Sequence, residues 1–150
     1  MGLSDVTLRE ATWDDQAAVL GLASHFLDAT RYGQLFLADA NHMVRLFDAC
    51  LKAGVIVLAE VDGQPIGFLA LIVVEHLMSG ERMGEELAWW VEPTARRGKV
   101  GLLLLSAVED WLRAHGVGVL KMVAPAWSRV GHTYERWGFE AVETAYVRRL

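Results

Sequence analysis

Residues 89–105 read WWVEPTARRGKVGLLLL. An apolar run stops at Pro93, a basic turn containing Gly98 and Gly101 follows, and a second apolar run begins. Proline has no N–H to give to a ladder, so Pro93 closes a strand. Beyond the turn, Leu104, Leu105, Val108, Trp111 and Leu112 recur at three and four residues, the period of a helix with one buried face. Gly116 then supplies a stop. The stretch therefore reads as strand, turn and helix. Its glycines and bases form either a phosphate cradle or an ordinary flexible turn.

The chemistry of a helix start speaks for the cradle. The first backbone N–H groups of a helix lack internal partners and carry partial positive charge, so an anion is stabilised there. Gly98 lets a ligand approach the backbone and allows positive φ, and Arg96, Arg97 and Lys99 add full charges. Each charge-assisted contact to a phosphate contributes about 1.5–3 kcal/mol, which suits a diphosphate better than a lone carboxylate. A nucleotide P-loop is a poor match: Pro93 stands where its first glycine belongs, and Val100 stands where Ser or Thr should follow the lysine. No GxGxxG dinucleotide fingerprint is present.

Outward from this stretch, VTLREAT reads as a strand and TWDDQAAVLGLASHF as a helix capped by Thr12. A second helix covers NHMVRLFDACLKA, with Gly54 as its glycine stop. Two Val- and Ile-rich runs around DGQP form a hairpin. HLMSGERMG is a loop, ELAWWV the strand ending at Pro93, VGVLKMVAP a further strand, and SRVGHTYERWG a short helix. FEAVETAYVRRL supplies two last short strands or one bent one. The order β-α-α-β-β-β-α-β-α-β-β predicts an α/β (α+β) fold, a mixed sheet with helices on its faces. The parallel crossover lies between the fourth and fifth strands.

Composition bounds the reading. The 150 residues suit one domain, 1–150, with 53% hydrophobic and 22% charged residues. No apolar run approaches the ~18 residues of a membrane span, and the N-terminus lacks the pattern of a signal peptide. Gly2 is not followed by Ser or Thr at position 6, where Val6 stands, so a myristoylation motif is incomplete. A single cysteine, Cys50, excludes an internal disulfide, fits a cytoplasmic location, and reads as a buried thiol on a helix face. A net charge of -5 disfavours general nucleic-acid binding. The five histidines show no metal-ligand spacing, so no metal is expected.

A second motif lies downstream, YERWGF, with Tyr134, Gly138 and Phe139. Together the two motifs resemble the GNAT superfamily of N-acetyltransferases. The family pattern V-x-P-x-x-R/Q-x-x-G-x-G/A is met at Val91, Pro93, Arg96 and Gly101. Lys99 replaces the middle glycine, with Gly98 one position earlier taking over its role in a shifted turn. Trp127 stands where the family often has an Asn that contacts the cofactor.

The resemblance implies a GNAT-like, mostly antiparallel sheet of six to seven strands with about four helices, strands 4 and 5 being parallel and splayed. It implies acetyl-CoA as cosubstrate, its pyrophosphate on Arg96, Arg97, Gly98, Lys99, Val100, Gly101 and Leu102, and its pantetheine arm beside the backbone near Trp90 and Val91. It implies Tyr134 as the acid for the departing thiolate. A phenol with pKa near ~10 is protonated at neutral pH and can donate. The Val91 N–H is the expected oxyanion donor. Glu86, then Glu85, are the candidate bases, and alternation along a strand points one of them at the cleft. The alternatives are a core phenol for Tyr134 and a solvated strand end for the glutamates. His132 falls on another face of the helix from Tyr134 and reads as surface. Phe26, Tyr32 and Phe36 lie in the linker expected to line the acceptor mouth, where plain packing is the other reading.

The activity expected is transfer of an acetyl group to a primary amine of a small molecule or protein, by direct attack in a ternary complex. The competing expectation is a catalytically silent CoA-binding or interaction domain. Neither nucleic acid nor membrane is expected as a partner, and a homodimer is suggested only by analogy with the fold.

Overall fold

A computed structural model of the chain describes residues 5–150, apart from the side chains at positions 97 and 98. Five strands form one sheet in the order β1 (Val6–Glu10), β2 (Gly54–Val61), β3 (Gln64–Glu75), β4 (Arg82–Val91) and β5 (Leu120–Lys121). The first four pair antiparallel and β4 pairs parallel with β5. Helices α1 (Gln16–Ala29), α2 (Tyr32–Leu35) and α3 (Ala40–Ala53) precede β2. Helix α4 (Val100–Ala114) crosses from β4 to β5, and α5 (Val130–Arg136) follows.

Alternation along the strands divides the core between the two sheet faces. Val55, Val57, Leu69, Leu71 and Val91 pack with Leu104, Leu105, Val108 and Leu112 of α4. Ile56, Leu58, Phe68 and Trp90 pack with Val19 and Leu22 of α1 and Phe47 and Cys50 of α3. Each such side chain contributes about 1.5–3 kcal/mol when fully buried, so these two layers hold the helices to the sheet. Cys50 is 2% exposed, and burial pushes its thiol up to about 11, as expected of a packed rather than a reactive cysteine.

The hairpin falls at the expected turn: Asp62 and Gly63 both take positive φ, 51° and 74°, which matches the twist of the flanking strands. Gly116, at φ 71°, ends α4, with the Val117 N–H donating to Leu112 O at 2.9 Å. Gly54 has another reason to be glycine. It is extended, φ -166°, and opens β2 rather than capping α3 in the left-handed region. A Cβ there would run into the carbonyl of Leu71 on β3.

Among the described residues the sheet has five strands, not six to seven, and there are five α-helices rather than about four. The added helix is α2, a single turn in the segment between α1 and α3. It is too short to show a period in sequence, and is held by the Leu35 N–H on Arg31 O at 2.9 Å. The expected strand at VGVLKMVAP shrinks to two residues. Residues 139–150 form no strand. Val142, Tyr146, Val147 and Leu150 are exposed, so strand pairing there has no burial to reward it. Side-chain tethers hold this segment instead: Glu143 meets Lys121 Nζ at 2.8 Å, and Arg149 Nη2 donates to Leu35 O at 2.9 Å. Among the described residues no helix is long and apolar enough to cross a membrane.

Candidate active site

Strands β4 and β5 keep company for only two residue pairs, Gly84 with Leu120 and Glu85 with Lys121. Beyond Glu85 the chains part, as expected of splayed strands, and a cavity of about 570 Å³ occupies the gap. One wall is β4 from Glu86 to Val91. The others are α1 and α2, the turn after β4 with Arg96, Gly101 at the start of α4, the segment after β5, and Val130 and Tyr134 of α5.

A bulge decides what β4 shows to this gap. Ala70 pairs with Ala88 and Leu71 with Glu86, so Leu87 is an extra residue. The extra residue shifts the alternation of the strand. Before it, Gly84 turns its N–H to β5, on Val119 O at 2.8 Å. After it, the Glu92 N–H donates to Ile66 O at 2.8 Å, so Glu92 and, two residues earlier, Trp90 face β3. Val91 and Trp89 therefore turn their N–H and C=O groups away from β3 to the open edge, where the Val91 C=O already accepts from Arg96 Nε. The sequence reading paired Trp90 with Val91. The backbone groups open to the gap belong to Trp89 and Val91, and Trp90 contributes its ring. Counting outward from Val91 in steps of two finds Trp89.

Lys99 answers for the missing glycine. It takes the left-handed conformation itself, φ 60° and ψ 21°, between the 3-10 turn Pro93–Gly98 and α4. The shift of that role to Gly98 is thus not needed. A side chain in this region costs about 1–2 kcal/mol, so the turn is held against its local preference. The Leu103 N–H donates to Lys99 O at 3.1 Å and is the first to join the helix ladder. The N–H groups of Val100, Gly101 and Leu102 thus have no acceptor within α4. Gly101 sits against Trp89: a Cβ would lie 3.1 Å from Cζ2 of the indole. Arg96 is turned inward, its Nε on Val91 O at 2.8 Å and its guanidinium 4.5 Å from the Trp90 ring centroid. Arg97 and Gly98 also belong to the expected cradle; the Arg97 side chain lies outside the described part, and Gly98 ends the 3-10 turn.

Tyr134 is 6% exposed and lines the cavity. Its hydroxyl donates to Val123 O at 3.0 Å, and its ring stacks on Trp89. Burial, then the nearby Glu86 and Tyr32, push the phenol well above its ordinary range, so it stays protonated. Glu86 is half-buried and lines the cavity. Its enclosure among aromatic and apolar groups pushes its pKa up to about 8. Glu85 turns elsewhere, to Lys121 Nζ at 3.6 Å.

Phe26 and Tyr32 line the cavity, whereas Phe36 does not, and His132 is exposed away from it. Trp127, expected only as a departure from a cofactor contact, is part of the wall and meets Tyr32 edge-on at 4.9 Å. Behind the wall, Glu92 accepts from Trp90 Nε1 at 3.2 Å and pairs with His25 Nδ1 at 2.6 Å, fixing the Trp90 ring. Burial works against the Glu92 charge, but the His25 and Trp90 hydrogen bonds outweigh it and hold the carboxylate below its usual range. No sequence signal joins residues this far apart. Among the described residues, no cluster of three or more His, Cys, Asp or Glu is placed to hold a metal ion.

Comparison with known proteins gives the same architecture. The chain is 33% identical over 129 residues to a mycothiol acetyltransferase of Sanguibacter keddieii, covering 84% of this chain and 40% of that protein. The chain thus spans about two fifths of that relative's length. The structure of a ribosomal-protein-alanine N-acetyltransferase from Brucella melitensis biovar Abortus 2308 superimposes with a TM-score of 0.78 at 21% identity, over 97% of this chain and 99% of that one. A predicted acetyltransferase from Clostridium acetobutylicum, solved with acetyl-CoA, superimposes with a TM-score of 0.77 at 17% identity, over 96% of each chain. The model of the acetyltransferase (GNAT) family matches residues 20–139, and this chain belongs to that family.

Proposed function

We propose that the chain, acting as one domain over residues 1–150, transfers the acetyl group of acetyl-CoA to a primary amine by direct attack in a ternary complex. One observation carries the reading. The gap between β4 and β5 brings the open-edge N–H of Val91, the protonated phenol of Tyr134 and the raised carboxyl of Glu86 to the same cavity. Family membership and the neighbour solved with acetyl-CoA support the choice of donor.

The bound cosubstrate supplies an acetyl group activated as a thioester. The N–H groups at the start of α4, with Lys99 beside them, suit its diphosphate. The open N–H groups of Trp89 and Val91 and the Trp89 C=O suit an extended amide chain laid along β4 like a further strand, while the Val91 C=O is held by Arg96. Glu86 takes the proton that the acceptor ammonium must lose before its nitrogen can attack. A base with a pKa of about 8 is matched to that transfer near neutral pH. The Val91 N–H donates to the carbonyl oxygen as it gains negative charge. Tyr134 exchanges its acceptor, Val123 O, for the departing sulfur, protonates it as the carbon–sulfur bond breaks, and is reprotonated by the proton that the attacking nitrogen loses on becoming the amide.

Thermal melting with acetyl-CoA, followed by thiol release with a panel of amines, tests this reading. Ligand at about 100 times its dissociation constant stabilises by about 2.7 kcal/mol, a shift of several degrees for a chain of this size. An unmoved midpoint at millimolar acetyl-CoA, or a shift without thiol release for any amine, overturns the enzyme reading.

A further inference from the structure

Part of the cavity wall is built from rings. Trp127 meets Tyr32 at 4.9 Å, Tyr32 meets Phe26 at 5.4 Å, and Phe26 meets Trp90 at 6.0 Å. These four come from the segment after β5, from α2, from α1 and from β4, so the rings make a continuous chain around the gap. All four line the cavity. Among the described residues, Glu86 is the one acidic side chain on its wall, and Arg96 is the one basic side chain. Tyr32 lies close enough to Glu86 for the carboxylate, after burial, to help raise its phenol. The total volume of about 570 Å³ has to serve both the donor arm and the acceptor.

From this arrangement we propose that the acceptor is a monoamine: one ammonium held beside Glu86, next to a flat apolar group that lies against Tyr32 and Trp127. The assignment rests on the acetyl-transfer reading above and narrows its acceptor. A single carboxylate balances a single ammonium. A second ammonium on a polyamine or aminoglycoside would enter an apolar wall without a carboxylate, and burying an unpaired charge is costly. Arg96 repels it further. Ring faces and edges instead reward a flat apolar body, and the first ammonium gains from the same π faces. Trp127 sets the width of the opening, because its edge-on contact with Tyr32 spans the gap between two separate parts of the fold. The side chain at this position, tryptophan, is the largest of the twenty.

Calorimetry separates the possibilities. CoA is titrated first, then 2-phenylethylamine or spermidine into the CoA complex. The expected result is 2-phenylethylamine binding at least about tenfold tighter than spermidine. Trp127→Ala should weaken 2-phenylethylamine about tenfold and leave spermidine within about twofold, and Trp127→Phe should restore most of the loss. Trp127 is 42% exposed, so its truncation should leave the fold intact, which a thermal melt of the variant checks. Spermidine binding as tightly as 2-phenylethylamine overturns the assignment, as does an affinity for 2-phenylethylamine that Trp127→Ala leaves unchanged. Failure of CoA itself to bind sinks the acetyl-transfer reading instead, so the two failures are told apart in one experiment.

Discussion

The indole of Trp89 stacks on the phenol of Tyr134, with ring centroids 5.9 Å apart and planes 22° from parallel. The other edge of the indole is pressed against Gly101 at the start of α4. One ring on β4 therefore sets both the phenol and the helix start at a fixed distance from the open strand edge. Tyr134 sits on a helix of only seven residues, so its position depends on this stack, on Phe139 at 5.4 Å and on the Val123 carbonyl.

Tyr134→Phe keeps the ring and removes only the proton donor. Its kcat should fall by about 10²–10⁴ while the Kd for acetyl-CoA stays within about threefold. Steady-state kinetics with calorimetry checks both halves. A variant with unchanged kcat would make Tyr134 a core phenol.

Glu86 has an ordinary value of 4.5 and a folded value of about 8, so the folded chain holds its proton more tightly than the unfolded chain. The stability this contributes is complete below about pH 4.5 and is lost as pH rises through about 8. Glu86→Gln removes the titration. The variant should match the parent near about pH 4.5 and exceed it near about pH 9 by about 1–3 kcal/mol, after allowance for solvent at the half-buried group. The parent's kcat/KM should rise with pH through about 8, and the variant should lose that rise. Melting curves and rate profiles across pH read the two effects separately.

Lys99→Gly should have two opposite consequences. Relief of the left-handed backbone at φ 60° stabilises the fold by about 0.5–1 kcal/mol, or about 1–3 °C in Tm. Loss of the charge should weaken acetyl-CoA by about tenfold at low salt. Lys99→Asn, which tolerates the same backbone, should lose the binding in equal measure. Equal affinity in all three proteins would remove Lys99 from the cradle.

Arg9 clamps β1 to the turn before α1 and to β2. Its Nη2 meets Asp15 Oδ1 at 2.8 Å and its Nε meets Glu60 Oε1 at 2.6 Å. The Arg9 hydrogen bond is the main reason that Asp15 titrates at about 2 instead of 3.8. Arg9 is partly exposed, so Arg9→Ala should cost only about 1 kcal/mol at neutral pH. A lowered carboxylate stabilises the fold above its ordinary value and ceases to do so as pH falls through about 2. The difference between parent and variant should therefore shrink across that interval in acid melts.

Local chemistry carried much of this protein from the chain itself. Pro93 ends β4 because it lacks an N–H, Asp62 and Gly63 turn the hairpin because both tolerate positive φ, and the leucine spacing after Val100 demands a helix. The two motifs identified the family because their residues are close in sequence. What the sequence could not decide depends on pairing. Whether residues 139–150 become strands depends on a partner edge and on burial, neither of which is a local property. The bulge at Leu87 is an extra residue relative to β3, visible only when the two strands are laid side by side, and it selects Trp89 over Trp90 for the open edge. Glu86 parts from Glu85 for a related reason: the parallel ladder ends at Glu85, and what lies beyond it is a cavity rather than a strand. The ring contact between Trp127 and Tyr32 joins residues 95 positions apart. Only the packing of the segment after β5 against α2 brings them together.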